Sequence, residues 1–99
     1  MILRRGRFRD TISRQLDLFA EDETNGLLAD VQEMKRLYDE ADRDNAEEAY
    51  GDYVDAIDAV KDALADMRDR FASTLDENTG DEYEPAFEAA ARKRWRWLA

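Results

Sequence analysis

Cysteine and histidine are both absent from the 99 residues of this sequence. Without cysteine the chain can form neither a disulfide nor a sulfur-rich zinc site, and it offers no thiolate nucleophile. Without histidine it lacks the commonest general base and the commonest metal ligand of proteins. Its four glycines are isolated, so none of them belongs to a glycine-rich phosphate loop. We therefore predict that the protein is not an enzyme and has no catalytic, cofactor-binding or metal-binding residues.

Long apolar runs are missing as well, since no uninterrupted stretch of hydrophobic residues exceeds three. Runs such as residues 27–29 and 89–91 are too short for the core of a signal peptide or for a membrane-spanning helix. From the sequence we expect a soluble, cytoplasmic protein.

Charged residues are abundant and unevenly distributed. The 15 Lys and Arg residues against 25 Asp and Glu residues give a net charge of -10. Residues 1–14 carry +4, residues 15–91 carry -18 and residues 92–97 carry +4. Because the molecule as a whole repels polyanions, an anionic partner is expected only at the two basic segments.

Apolar residues recur every three or four positions, which is the pattern of amphipathic α-helices and predicts an all-α fold. A first stripe predicts an N-terminal helix over about residues 8–22: Phe8, Ile12, Leu16 and Phe19. Two heptad seams follow. The first is formed by Leu27, Val31, Met34, Tyr38 and Ala41, and the second by Tyr50, Tyr53, Ile57, Val60, Leu64, Met67 and Phe71.

The two seams are out of phase, which predicts a break in the helix near residue 44. Asn45 followed by Glu48 has the form of a capping box, in which the Asn side chain accepts a hydrogen bond from a free backbone N–H. A new helix is therefore expected to begin there. Thr24 or Asn25 is the predicted N-terminal cap of the helix that carries the first seam.

The break predicts a helical hairpin in which residues 27–41 pair antiparallel with residues 50–64. In this register Tyr38 lies opposite Tyr53. The alternative is one continuous helix over residues 26–77, because no proline interrupts this stretch.

The second seam continues beyond the hairpin and predicts a long central helix over about residues 46–76. Turn-forming residues at 76–80 are expected to end it. Asp81 and Glu84 then form a further capping box, with Pro85 in the first turn of a C-terminal helix.

Folding the C-terminal helix back along the central helix places Phe71 opposite Phe87. The predicted architecture is a small antiparallel helical bundle built on the long central helix, with the N-terminal helix completing it. We expect one domain over residues 1–99, in which residues 1–7 are a flexible basic arm.

Two polar groupings on these helices are interpreted as structural features. Carboxylates that share the side of the central helix opposite its seam are expected to form a solvated face: Asp52, Asp55, Asp62, Asp66 and Asp69. Three tyrosines near the hairpin turn, Tyr38, Tyr50 and Tyr53, are expected in the core with their hydroxyls at its rim.

The basic residues at the two ends are the candidate partner-binding residues: Arg4, Arg5, Arg7, Arg9, Arg92, Arg94, Arg96 and Trp97. Cations near a helix start are disfavoured by the helix dipole, so helix physics does not explain the first four. They form either an arm for an anionic partner or a segment lying in solvent or on an acidic face of this or a neighbouring copy.

Cations in the last turn of a helix are favoured by the same dipole. Folding back the C-terminal helix is also expected to bring them beside the acidic central helix. Trp95 fits the core stripe, whereas Trp97 is expected to be exposed and able to contact a partner.

Two functional hypotheses follow. The first is a non-catalytic module for protein–protein interaction or scaffolding, which binds a protein partner or another copy of itself through basic ends and acidic helix faces. The second is binding of nucleic acid or an anionic membrane surface through the Arg-rich N-terminus and the Arg- and Trp-rich C-terminus. Neither hypothesis includes a small-molecule substrate or a cofactor.

Overall fold

The structure, a computed structural model, describes residues 6–22 and 26–98. These residues form helices and turns without any strand, which confirms the all-α class. Within this part of the chain the elements are α1 (Arg9–Glu21), α2 (Leu27–Glu40), α3 (Ala46–Ala72), α4 (Glu77–Arg94) and a short 3-10 turn (Arg96–Leu98). The predicted Thr24 and Asn25 caps lie outside the described residues, and the residue preceding α2 is Gly26, with a φ of 62° that favours glycine.

The chain divides into two compact units. One consists of residues 1–22 and 65–99, and the other consists of residues 23–64. Helix α3 contributes residues to both units. Each unit has buried apolar residues of its own, among them Phe87 in the first unit and Val31 in the second.

The second unit is the predicted helical hairpin. Helix α2 ends at Glu40 and α3 begins at Ala46, so the alternative of one continuous helix over residues 26–77 is wrong. The ring of Tyr38 stacks on that of Tyr53, with centroids 6.2 Å apart, as the antiparallel register predicts.

In the turn before α3, Asp42 rather than Asn45 supplies the side-chain acceptor. The Asp42 carboxylate accepts a hydrogen bond from the Asn45 backbone N–H at 3.0 Å and from its side-chain amide at 2.9 Å. The position predicted for the helix start is confirmed, but Asn45 donates where the capping box required it to accept. The Asp42 side chain lies three residues earlier and engages the Asn45 amide as a donor.

In the first unit, α4 folds back antiparallel to the end of α3, as predicted. The ring of Phe71 contacts that of Tyr83, with centroids 4.8 Å apart, whereas the sequence placed Phe71 opposite Phe87. The register therefore differs by about one helical turn. Apolar residues spaced four apart give similar patterns in both registers, so periodicity does not distinguish between them.

Helix α1 runs parallel to α4, since contacts join the two helices near both their starts and their ends, with Phe8 just before α1 and Trp95 just after α4. Phe8 packs edge-on against Tyr83 at 5.4 Å, and Phe19 packs edge-on against Trp95 at 5.8 Å. The predicted stripe on α1 is confirmed, because Ile12, Leu16 and Phe19 are buried.

The turn between α3 and α4 differs from the prediction. Helix α3 ends at Ala72 rather than at residue 76. The hydroxyls of Ser73 and Thr74 donate to the backbone carbonyls of Arg70 and Phe71 at 2.8 and 2.7 Å. These hydroxyls add hydrogen bonds at the helix end, where the Phe71 carbonyl also accepts from the Thr74 backbone N–H at 2.9 Å.

Helix α4 begins earlier than the Asp81–Glu84 capping box predicted. Asp76 is the N-cap, and its side chain accepts a hydrogen bond from the Thr79 backbone N–H at 2.8 Å. Pro85 consequently lies about two turns inside the helix rather than in its first turn. Pro85 has no N–H, so it cannot donate the helical hydrogen bond to the Asp81 carbonyl.

We expect Asp76→Ala to lower the midpoint of thermal unfolding by roughly 4–8 °C, the effect of a lost N-cap in a domain of this size. Asp81→Ala removes the same charge from an exposed helical position and should leave the midpoint nearly unchanged. Scanning calorimetry of both variants compares the observed cap with the one that the sequence suggested. A larger loss for Asp81→Ala would contradict this assignment.

Acid should reduce the difference in the midpoint of thermal unfolding between the wild type and Asp76→Ala. The Thr79 N–H holds the pKa of the Asp76 carboxyl below its ordinary value of 3.8. The stabilisation is thus fully present above pH 3.8 and is lost as the pH falls through the lower pKa of the folded state.

Candidate functional site

An apolar groove of about 660 Å³ lies between α1 and α4 in the first unit. Its volume is in the range of common binding sites. The groove is lined by Phe8, Arg9, Ile12, Ser13, Leu16, Glu82, Ala86, Ala90, Lys93 and Arg94. We call it the α1–α4 groove.

The floor of the groove follows from the spacing of large and small residues on the two parallel helices. Phe8, Ile12 and Leu16 recur every four residues and form a ridge along α1. Ala86 and Ala90, also four apart, line the facing side of α4. Because a methyl group fills little of the space beside a large side chain, this combination leaves an open apolar channel.

Two ion pairs join α1 and the turn preceding it to α4. Arg7 Nη1 lies 3.0 Å from Glu82 Oε2, and Arg94 Nη1 lies 2.6 Å from Asp17 Oδ1. Both pairs are substantially exposed, so each contributes at most about 1 kcal/mol to stability. Their main consequence is that two arginines and two carboxylates of the surface are already partnered.

The rim of the groove carries positive charge that no carboxylate of the described chain neutralises. Arg9 and Lys93 line it, and no carboxylate of the described residues lies within ion-pairing distance of either. Glu82 is the one acidic residue of the lining, and it is engaged by Arg7. A ligand with an apolar face and negative flanks therefore matches the lining.

Tyr83 supports the groove from the interior of the first unit. Its side chain is fully buried, and its hydroxyl donates to Gln15 Oε1 at 2.8 Å. Burial raises the pKa of this phenol above its ordinary value. A single residue of α4 thereby contacts α1 through a hydrogen bond and the end of α3 through Phe71.

Among the N-terminal candidate residues, Arg4 and Arg5 lie outside the described residues. Arg7 lies on an acidic residue of its own chain, which is one of the alternatives that the sequence left open. Arg9 lines the α1–α4 groove and is exposed.

The C-terminal candidates are less uniform than predicted. Arg92 and Arg96 are exposed, and within the described chain neither forms an ion pair. Arg94 pairs with Asp17 of α1 rather than with the acidic face of α3. Trp97 is half-buried, so its predicted exposure is wrong. Helix α4 ends at Arg94 and residue 97 lies in the 3-10 turn, where helical periodicity no longer sets its direction.

A second notable surface is the end of the hairpin in the second unit, residues 37–50, which we call the hairpin tip. Tyr38 and Tyr50 are in ring contact at 5.3 Å, but they are 36% and 51% exposed, so the prediction of a tyrosine core is wrong here. Leu37 is 41% exposed. Beside it lies an acidic hollow of about 410 Å³, lined in part by Glu40, Asp42, Glu48 and Asp52.

The hairpin buries its apolar residues at the base. Val31 and Val60 are almost fully buried, while exposure increases toward the tip.

The carboxylates that the sequence placed opposite the seam of α3 are all exposed, which confirms the predicted solvated face: Asp52, Asp55, Asp62, Asp66 and Asp69.

In the described part of the chain, no group of three or more acidic residues is arranged to hold a metal ion. Among the described helices, none combines the length and the apolar character needed to cross a bilayer. No family model, no curated protein and no solved structure matches this chain.

The α1–α4 groove was not identified from the sequence, although its residues were available. The spacing of Phe8, Ile12 and Leu16 predicts a core stripe, and alanines on a helix do not by themselves indicate a binding surface. Seeing the groove requires the parallel pairing of α1 with α4, which joins residues about 75 positions apart.

Replacing Tyr83 with Phe should lower the free energy of unfolding near neutral pH by about 0.5–1.5 kcal/mol, because Gln15 loses its partner. The difference in the free energy of unfolding between the wild type and Tyr83→Phe should decrease in alkali. The unfolded phenol ionises at its ordinary pKa of 10.0, before the folded one, so wild-type stability falls as the pH rises above that value and through the folded pKa. Urea unfolding of both proteins on either side of about pH 10 measures this. A difference that stays constant with pH would contradict the assignment.

Proposed function

We propose that the protein is a non-catalytic helical interaction module whose α1–α4 groove binds an acidic, amphipathic segment of a protein. The observation that supports this most directly is an apolar floor with Arg9 and Lys93 on its rim, two cations that form no ion pair with any described residue. Apolar contact would supply affinity, and the charges would speed association and select for acidic partners.

The dimensions of the floor favour a helical ligand. Phe8, Ile12 and Leu16 extend over roughly 12 Å, at 1.5 Å per residue. A helix that presents apolar side chains every three or four residues has the same spacing and can lay its apolar face in such a groove.

Binding of nucleic acid or an anionic membrane remains the second candidate. It is favoured by the exposed Arg92 and Arg96, which form no ion pair within the described chain. Against it, Arg7 and Arg94 are held by carboxylates and Trp97 is half-buried, so fewer groups are free to contact phosphate or to stack on bases.

The proposed function is tested with a synthetic acidic helical peptide, with leucines on one face and glutamates on the other, and with its scrambled version. We expect Ala86→Glu to weaken binding of the ordered peptide at least about tenfold, because a carboxylate then stands in the floor and repels the ligand. Ala89→Glu is the matched control. It places the same side chain on an exposed position of α4 outside the groove and should change the Kd little.

A second pair of variants separates the two candidate functions. Lys93→Glu removes a cation of the groove, whereas Arg92→Glu removes a neighbouring exposed cation outside it. Loss of peptide binding only with Lys93→Glu supports the groove. Salt-dependent binding of RNA or anionic vesicles that both variants weaken equally, without binding of the ordered peptide, would instead support the second candidate.

A further inference from the structure

We infer that the segment bound by the α1–α4 groove is the hairpin tip of a second copy of the protein. This inference rests on the proposed function and identifies the partner. Each copy then offers one groove and one tip, and copies associate through unlike surfaces.

The first observation is the apolar character of the tip. In the described part of the chain, four large hydrophobic residues are exposed, and three of them lie in residues 37–50: Leu37, Tyr38 and Tyr50. The fourth, Leu18, stands on α1 at 62% exposure and does not line the groove. Three exposed apolar side chains within one short segment, two of them in ring contact, indicate a contact surface more than one isolated leucine does.

The second observation is the charge of the tip. Residues 37–50 contain six carboxylates and one arginine, a net charge of -5. Asp39 and Glu40 are already paired with Lys35 and Arg36, at 2.7 and 3.1 Å.

Three carboxylates of the tip remain available to a partner. Asp44, Glu47 and Glu48 are exposed, and no cation of the described residues lies within ion-pairing distance of them. The groove shows the complementary pattern, an apolar floor whose rim holds Arg9 and Lys93, neither of them paired within residues 6–22 and 26–98. The two surfaces therefore match in both polarity and sign of charge.

The third observation is that local contacts hold the tip in one conformation. The bonds from Asn45 to Asp42 fix the link between the helices. The ring of Tyr38 contacts those of both Tyr50 and Tyr53. A surface that is already ordered loses less conformational entropy on binding than a flexible one.

The contact is heterologous, because a tip meets a groove rather than another tip. Such contacts build either a closed ring or an open chain of copies. Association should therefore increase with protein concentration. It should weaken as salt rises, since exposed charges are screened within about 10 Å at 0.1 M ionic strength.

The test uses two variants of the full chain that disable opposite surfaces. Ala86→Glu disables the groove, and the double variant Leu37→Ser with Tyr50→Ser disables the tip. The matched controls are Ala89→Glu and Leu18→Ser, which make similar changes at exposed positions outside the two surfaces. Circular dichroism establishes that each variant keeps its helix content.

Sedimentation velocity at low salt measures the association of each variant, and we expect the following outcome. The wild type and both controls associate as concentration rises, and each disabled variant alone is a monomer. An equal mixture of the two disabled variants forms a heterodimer, because one intact tip meets one intact groove. That dimer has no further pair of intact surfaces and grows no larger.

A second tip variant keeps the inference testable if the serine variant loses helix content. Glu47→Gln with Glu48→Gln removes two exposed charges while leaving the apolar residues in place. It should weaken self-association several-fold and reduce its dependence on salt.

Three results would overturn the inference: a wild type that stays monomeric at low salt, a disabled variant that still associates alone, or a mixture that gives only monomers. The peptide experiment separates this failure from that of the proposed function. If the acidic peptide binds the wild type and not Ala86→Glu while the protein stays monomeric, the groove has a different protein partner. If neither the peptide nor a second copy binds, both proposals fail.

Discussion

The burial of Tyr83 is the constraint on which the first unit depends. Its ring lies among those of Phe8, Phe71 and Phe87, and a buried hydroxyl needs a hydrogen-bond partner. Gln15 supplies that partner from α1, so both the position and the rotation of α1 beside α4 are restricted. The α1–α4 groove is a consequence of this placement, since it exists only while the large residues of α1 face the alanines of α4.

Electrostatics in this protein determines which surfaces are available more than it determines stability. Exposed ion pairs add little to the free energy of unfolding, but each one removes a charge from contact with a partner. Arg7 and Arg94 are partnered in this way, whereas Arg9 and Lys93 form no ion pair in the part of the chain that the structure describes. A net charge of -10 therefore coexists with a locally positive groove. The net charge of the whole chain does not reveal this local positive charge, and a count of arginines does not reveal which of them are partnered.

Features set by neighbours in the sequence were predictable, and features set by distant residues were not. The stripe on α1, the break before Ala46 and the pairing of Tyr38 with Tyr53 follow from local periodicity. The N-cap of α4 was harder to predict, because Asp76 and Asp81 both precede helix-forming residues and only one of them can begin the helix. The parallel packing of α1 on α4 has no local signal. The groove depends on that packing, so the sequence identified Arg9 as a candidate without the surface to which it belongs.

In the hairpin, too, the residues that stabilise the fold differ from the residues that a partner can contact. Apolar burial is concentrated at its base, where Val31 and Val60 are almost fully covered. Tyr38 and Tyr50 contact each other near the turn but leave much of their surface in water. Burying apolar area stabilises by about 25 cal/mol per Å², so this exposed aromatic surface represents free energy that folding of the hairpin leaves unused. The acidic residues around it restrict the surfaces that can use it, because only a partner with positive charge beside an apolar face matches both features.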